Sequence, residues 1–288
     1  VSYNDMLKRK LESLKEWFHN NCRGRAIVAV SGGVDSSLVL YAAASSIGPE
    51  RVLAVTTKSP INLEEDTAWA EKISSLLGVR HLELETDELK DPNFVKNPPN
   101  RCYFCKMNLY ELMERIRGEN DLMVDGLNAS DLKSHRPGFY AKKKYNVRSP
   151  LAELGLTKEE IRQIAKIVGL PNWDKPSESC LASRIPYGEE VTYSKLRVVR
   201  EAERVVKELA GVTQVRVRHH GVLARIEVPK TEMRKLFNEF IIDRIAQELS
   251  KLGFIYVTLD LQGYRSGSMD LVLSRKVIPI GELSKVGE

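Results

Sequence analysis

The stretch Ser31-Gly32-Gly33-Val34-Asp35-Ser36-Ser37 constrains the fold of this chain more than any other. It follows the apolar run Ala26-Ile27-Val28-Ala29-Val30 and leads into Leu38-Val39-Leu40-Tyr41-Ala42-Ala43-Ala44. That order reads as a buried strand, a tight glycine turn and a helix N-terminus. Adjacent glycines allow positive φ and let backbone approach a ligand closely. The free N–H groups of the helix's first turn then favour an anion such as a phosphate. Ser31, Ser36 and Ser37 add hydroxyl donors, and Asp35 offers a carboxylate able to hold Mg²⁺ between phosphates. An ordinary strand–helix turn with a serine cap is the plainer alternative, but strand, loop and helix follow the order that phosphate binding requires.

The loop is neither a Walker A, which needs a lysine before its serine or threonine, nor a G-x-G-x-x-G dinucleotide fingerprint. It resembles the PP-loop of the ATP pyrophosphatase superfamily. The resemblance implies ATP cleaved between its α- and β-phosphates, with pyrophosphate held in the loop and a substrate carbonyl or carboxylate adenylated. Ser31, Gly32, Gly33, Asp35, Ser36 and Ser37 are the candidate nucleotide ligands, with Thr57 at the end of the second predicted strand and Asp125-Gly126 at the end of the fourth.

The chain's 288 residues allow one large or two modest domains. Apolar residues make up 42% and charged residues 29%, a soluble globular composition. The net charge of +5 suits a phosphorylated small molecule and falls short of the basic stripe expected for nucleic acid. There is no signal-like h-region and no run of about eighteen apolar residues, so no membrane partner is expected. Four cysteines do not make a disulfide framework, and the expected compartment is the cytoplasm.

Periodicity predicts helices near 3–20, 36–47, 62–78 and 103–117, alternating with strands at 26–30, 51–57, 80–85 and 121–125. Such alternation is the α/β pattern of a parallel sheet with helices on both faces and ligands at the strands' carboxyl ends. A further helix at 157–168 opens with Thr157 and Glu160 at capping-box spacing. Prolines and serines around 170–190 mark a loop-rich boundary. The domains are accordingly set at 1–175 and 176–288. The second, α+β, has helices near 194–210 and 238–252 and strands at 214–218, 222–228 and 255–261, with His219-His220-Gly221 read as a turn.

Cys102 and Cys105 form a C-x-x-C entering a helix, so both sulfurs share one face and the helix N-terminus is expected to lower their pKa. Cys180 lies far on in sequence, in Glu178-Ser179-Cys180-Leu181-Ala182-Ser183-Arg184. Three thiolates suit three irons of a [4Fe–4S] cluster with one iron open, or part of a zinc site; an unrelated surface pair with a buried Cys180 is the plain alternative. Cys22 is read as structural. Arg216 and Arg218 leave one face of a strand, Arg225 and Glu227 the paired face of the next. Two arginines suit a phosphate or carboxylate. On these residues alone a solvated outer face is the simpler reading.

Together these features resemble the LarE-type ATP-dependent sulfur transferases of nickel-pincer nucleotide cofactor biosynthesis. The likeness rests on the PP-loop, Asp125-Gly126, His135-Arg136-Pro137-Gly138, Ser149-Pro150-Leu151 and Cys180-Leu181-Ala182-Ser183-Arg184-Ile185-Pro186-Tyr187-Gly188. It continues through Val215-Arg216-Val217-Arg218, Ala224-Arg225-Ile226-Glu227, Tyr256-Val257-Thr258-Leu259-Asp260 and Tyr264-Arg265-Ser266-Gly267. The resemblance implies an adenine nucleotide alpha hydrolase-like domain followed by a smaller domain for substrate binding and sulfur transfer. The substrate implied is a pyridinium dicarboxylate mononucleotide, converted to a thiocarboxylate. Some members sacrifice a cysteine, which aligns with Ser179 here; others hold a cluster on three cysteines, the pattern that Cys102, Cys105 and Cys180 match. The resemblance makes Arg216 and Arg218 ligands of the substrate phosphate, near Ser183 and Arg184. Glu203 and Glu227 fall at acidic positions for metal or substrate, and Lys235 at a third such position. ATP, Mg²⁺ and a [4Fe–4S] cluster are the implied cofactors; sulfide or another sulfur source and a second copy of the chain are the implied partners. A PP-loop tRNA thiolase and a non-enzymatic ATP-binding iron–sulfur protein are the alternatives.

Overall fold

The structure, a computed structural model, describes residues 2–133 and 139–274. The His135-Arg136-Pro137-Gly138 match therefore lies outside the described residues. The chain divides into two compact units: one runs to Cys180 and includes Glu190–Thr192, the other comprises Leu181–Glu189 and the chain from Tyr193 on.

Helix α1 (Tyr3–Asn21) begins at a Ser2–Asp5 capping box and buries Leu7, Leu11, Leu14, Trp17 and Phe18 at helical spacing. Strand β1 (Ala26–Ala29) leads into α2 (Val34–Ile47), then come β2 (Val52–Lys58), α3 (Glu64–Leu76) and β3 (Arg80–Glu85). Short α4 (Pro92–Val95) precedes α5 (Arg101–Arg115), which carries the C-x-x-C, and β4 (Leu122–Val124). Two short helices, α6 (Phe139–Tyr145) and α7 (Pro150–Glu153), precede α8 (Lys158–Ile167), whose Thr157–Glu160 capping box forms as its spacing predicts.

The four strands pair in parallel in the order β3-β2-β1-β4. Because β1 is central, its alternate residues feed two cores. Ala26 and Val28 join the helices α1, α2 and α8, whereas Ile27 and Ala29 meet Tyr110 and Met113 of α5. Burial on both faces explains why β1 reads as a continuous apolar run. The chain leaves β1 toward β2 on one side and meets β4 on the other, so the carboxyl ends of β1 and β4 flank the point where strand order reverses. This is the α/β class expected, with a separate α+β unit after it.

That unit contains α9 (Tyr193–Ala210), β5 (Arg216–His220), β6 (Leu223–Glu227), α10 (Glu239–Lys251), β7 (Tyr256–Leu259) and α11 (Leu271–Ser274). Its sheet is mixed: β5 and β6 are antiparallel, β6 and β7 parallel. Val217, Ala224 and Ile226 share a core with Ala202 and Val206 of α9 and Ile245 and Leu249 of α10. His219 and His220 are the last residues of β5 rather than turn residues; the reversal passes to Gly221, at φ +62°, where a residue without Cβ is unstrained. No helix among the described residues is long and apolar enough to cross a membrane.

Candidate active site

The glycine loop lies at the carboxyl end of β1. Gly32 has φ +73°, and a Cβ there would stand 2.1 Å from the Asp66 carbonyl oxygen. The loop is braced from within: Ser36 Oγ donates to Gly33 O (3.1 Å) and accepts from Ser31 N (3.1 Å), while Ser37 Oγ donates to Gly33 O (2.9 Å). Buried Asn172 donates to Gly32 O and Ser37 Oγ at 3.1 and 2.9 Å, and Lys175 reaches Gly32 O at 3.4 Å while paired with Asp66. Helix α2 opens at Gly33 with no side-chain cap, which leaves first-turn N–H groups to an external acceptor. Asp35 sits in that turn. Its Oδ2 is ion-paired with Lys158, and its Oδ1 is buried without a hydrogen-bond partner. Burial pushes its carboxyl above the ordinary range, against the pull of Lys158. A buried carboxylate oxygen with no partner suits a divalent cation, so these residues fit Mg²⁺.

Asp125 and Gly126 follow β4. A Cβ on Gly126 would stand 2.7 Å from Ser36 N, so this loop lies directly against the start of α2. Asp125 is 5% exposed and accepts from Tyr110 Oη (2.7 Å), from Leu127 N (3.2 Å) and from Ser149 Oγ. Lys142 Nζ donates to Ser149 Oγ and lies 3.8 Å from Asp125. Burial lowers the Lys142 pKa and raises that of Tyr110. Ser149 is brought there by a parallel bridge between Val124 and Arg148. Thr57, near the end of β2, accepts from Asn62 Nδ2 through its backbone oxygen.

The three cysteines belong to the same unit as the loop. Cys102 is exposed, Cys105 and Cys180 are half-buried, and Ser179 is exposed. Cys105 Sγ lies 4.0 Å from Oε1 of Glu88, a carboxylate 1% exposed that also accepts from Thr86 Oγ1 (3.0 Å) and Ser59 Oγ. Position at a helix N-terminus predicts a lowered thiol pKa, but Cys105 departs from that. Its thiol is raised, first by burial, then by the charges of Glu88, Cys180 and Cys102. Among the described residues, no three or more His, Cys, Asp or Glu side chains are grouped to hold a single metal ion. Cys22 is buried, with Sγ 3.5 Å from Gly24 O, in keeping with a structural role.

In the other unit Arg216 and Arg218 point away from the α9–α10 core, yet are 2% and 4% exposed. Ser183 O accepts from Arg218 Nη1 at 3.0 Å, Ser268 Oγ lies 3.1 Å from Nη2, and the Tyr264 ring lies under Arg216. The solvated-face reading is thus overturned: residues 183 and 264–268 cover these guanidiniums. Arg216 pairs opposite Glu227 and Arg218 opposite Arg225. Glu227 is fully buried and saturated, by Arg218 (2.7 Å), Arg225 (3.2 Å) and Ser268 Oγ (2.9 Å). Arg184, 0% exposed, clasps Glu203 through Nε and Nη2 at 2.7 and 2.8 Å, and Glu203 also accepts from Val217 N. Both carboxylates are committed to protein cations. Lys235 pairs with Glu232 and donates to Gly211 O.

Lys158, Asn172, Lys175, Glu88 and Lys142 were not singled out by sequence. Each is an ordinary polar residue in its own segment, and only chain convergence gives it a role. The Leu-Thr-Lys order at the start of α8 carried a cap signal but none for Asp35.

A family profile described as NAD synthase matches residues 6–121. The chain is 43% identical to an uncharacterized protein of Synechocystis sp., over 94% of this chain and 100% of that one. It is 32% identical to an uncharacterized protein of Methanocaldococcus jannaschii, over 92% and 99%. With the pyridinium-3,5-bisthiocarboxylic acid mononucleotide synthase of Lactiplantibacillus plantarum it shares 35% identity, over 87% of this chain and 91% of that enzyme. Identity of that extent, running through both units and over an uncapped glycine loop on a parallel sheet, places the chain in the LarE-type family of ATP-dependent sulfurtransferases.

Proposed function

We propose that this enzyme adenylates a carboxylate of a pyridinium dicarboxylate mononucleotide and replaces an oxygen with sulfur to give a thiocarboxylate. The observation that carries the reading is the uncapped start of α2 beside the unpartnered Oδ1 of Asp35, in the same unit as Cys102, Cys105 and Cys180.

In this scheme Gly32–Ser37 holds the β- and γ-phosphates, and Asp35 Oδ1 takes Mg²⁺. A substrate carboxylate oxygen attacks the α-phosphorus, the bond to the bridging oxygen breaks, and pyrophosphate departs into the first-turn N–H groups of α2. AMP is then a far better leaving group than oxide. Arg216 and Arg218 take the substrate's phosphate through planar, delocalised guanidiniums. Because Glu227 already neutralises Arg218, that phosphate competes with the carboxylate for its fork.

Cys102, Cys105 and Cys180 are the proposed ligands of a [4Fe–4S] cluster. Their soft thiolate donor chemistry would suit iron. When bound, such a cluster supplies an iron free of protein thiolate, open to an added sulfide. The raised Cys105 thiol must give up its proton on ligation, so loading improves with rising pH. Sulfide, or another small sulfur donor, is the proposed co-substrate. A second copy of the chain is the proposed partner, and it would cover the exposed Phe240, Ile255, Tyr256 and Leu261; equilibrium sedimentation tests it.

The decisive experiment measures iron and acid-labile sulfide in anaerobically purified protein, beside pyrophosphate release with the mononucleotide. About four irons per chain, lost on changing any of the three cysteines, support cluster delivery. Metal-free protein after reconstitution removes the cluster. Absence of substrate-dependent pyrophosphate removes the adenylation.

A further inference from the structure

Lys158 stands where a lysine is electrostatically misplaced. It is the first residue of α8, at the positive end of the helix dipole, whereas Glu159 and Glu160 beside it obey the usual preference for acids there. Its backbone N donates to Ser130 Oγ at 3.1 Å, which fixes the start of the helix. Its Nζ crosses to the first turn of α2 and meets Asp35 Oδ2.

The other charges near Asp35 are differently held. Arg162 gives its two Nη groups to the carbonyls of Trp173 and Lys175, at 2.8 and 2.7 Å. Lys175 is tied to Asp66 and Gly32 O. Asp131 is a like charge that opposes ionisation of Asp35. Lys158 Nζ is therefore less tied than these cations: Asp35 is its one hydrogen-bond partner among the described residues, and its side chain is about a third exposed.

We propose that Lys158 is a resident counter-cation that exchanges with the divalent metal. Without ligands it neutralises Asp35. When metal and nucleotide enter together, the metal takes Asp35, and the freed Nζ turns to the nucleotide's phosphates. A flexible four-carbon stem permits that turn without backbone movement. The exchange rests on the assignment of Asp35 as the metal-binding carboxylate. It makes the two ligands mutually dependent, since a divalent metal on Oδ1 repels the Lys158 ammonium held on Oδ2 of the same carboxylate, with no phosphate to receive it.

The test compares wild type with Lys158→Gln, Lys158→Arg and Asp35→Asn, using Mn²⁺ as probe and the electron paramagnetic resonance signal of the free ion. A non-hydrolysable α,β-methylene ATP is titrated separately at saturating Mg²⁺. Lys158→Gln should tighten Mn²⁺ binding without nucleotide by about threefold or more, yet weaken the nucleotide by about tenfold. Lys158→Arg keeps the cation and should restore most of the nucleotide affinity. Opposite signs are the signature of exchange. If both affinities fall together, Lys158 merely orients Asp35, and if neither changes it has no part; each result overturns the proposal. Asp35→Asn must abolish the Mn²⁺ site. Should it bind Mn²⁺ as wild type does, the Asp35 assignment fails, a result distinct from failure of the exchange. Melting temperatures of the variants confirm that each is folded.

Discussion

Gly126 and Ser36 approach so closely that a Cβ on the glycine would lie 2.7 Å from the serine's backbone nitrogen. Two loops far apart in sequence are thereby locked together at the carboxyl ends of β1 and β4, over the uncapped start of α2. Gly126→Ala must push the α2 N-terminus or the Asp125 loop aside. It should cost about 1–3 kcal/mol by overpacking and abolish measurable nucleotide binding, as read by thermal melts and an ATP-analogue titration. Unchanged affinity would mean that this contact does not shape the phosphate site.

Asp35 should make stability depend on pH. Burial holds its carboxyl above the ordinary 3.8 in the folded state. A group so raised binds more protons folded than unfolded; its contribution is complete below the unfolded value and is lost as pH rises through the folded one. Asp35→Asn should therefore melt a few degrees higher than wild type at neutral pH, with the gain vanishing below about pH 4. Pyrophosphate release should be lost over the same range. Melting curves across pH, compared with wild type, check the sign.

Thiol reactivity should rank by environment. Cys102 is exposed, whereas Cys105 is held protonated by burial and by Glu88, and Cys22 is buried. In apo protein at pH 8, iodoacetamide should modify Cys102 at least about tenfold faster than Cys105, as read by mass spectrometry. Glu88→Gln removes the adjacent charge and should speed alkylation of Cys105.

The Arg184–Glu203 pair should be costly to break and cheap to leave alone. Arg184→Ala strands a carboxylate that is 8% exposed, and should destabilise the protein by about 3–5 kcal/mol in urea unfolding. Arg204→Ala, which breaks the exposed pairs with Glu201 and Glu208, should leave the unfolding midpoint unchanged.

Some of this was legible from residue order. The capping box at Thr157, the apolar run of β1 and the glycine loop are local signals, and each formed where its spacing placed it. Other readings failed for reasons outside their own segments. Arg216 and Arg218 look like a solvated strand face until residues 183 and 264–268 fold over them. Cys105 looks like an activated thiol at a helix start until Glu88 and burial are counted. His219 and His220 look like a turn because Gly221 follows them, but the ladder with β6 extends through both.

The sequence by itself determined the α/β class, the loop that can approach a phosphate and the presence of three thiols, because those properties follow from periodicity, glycine and side-chain type over short stretches. Tertiary structure alone decided which charges neutralise one another. Lys158 meets Asp35 across 123 residues and Asn172 braces the loop from 135 residues away. Glu203 and Glu227 are closed off by arginines. Such pairings depend on which loops converge at strand ends and on how far water is excluded there, and neither is a property of any single segment.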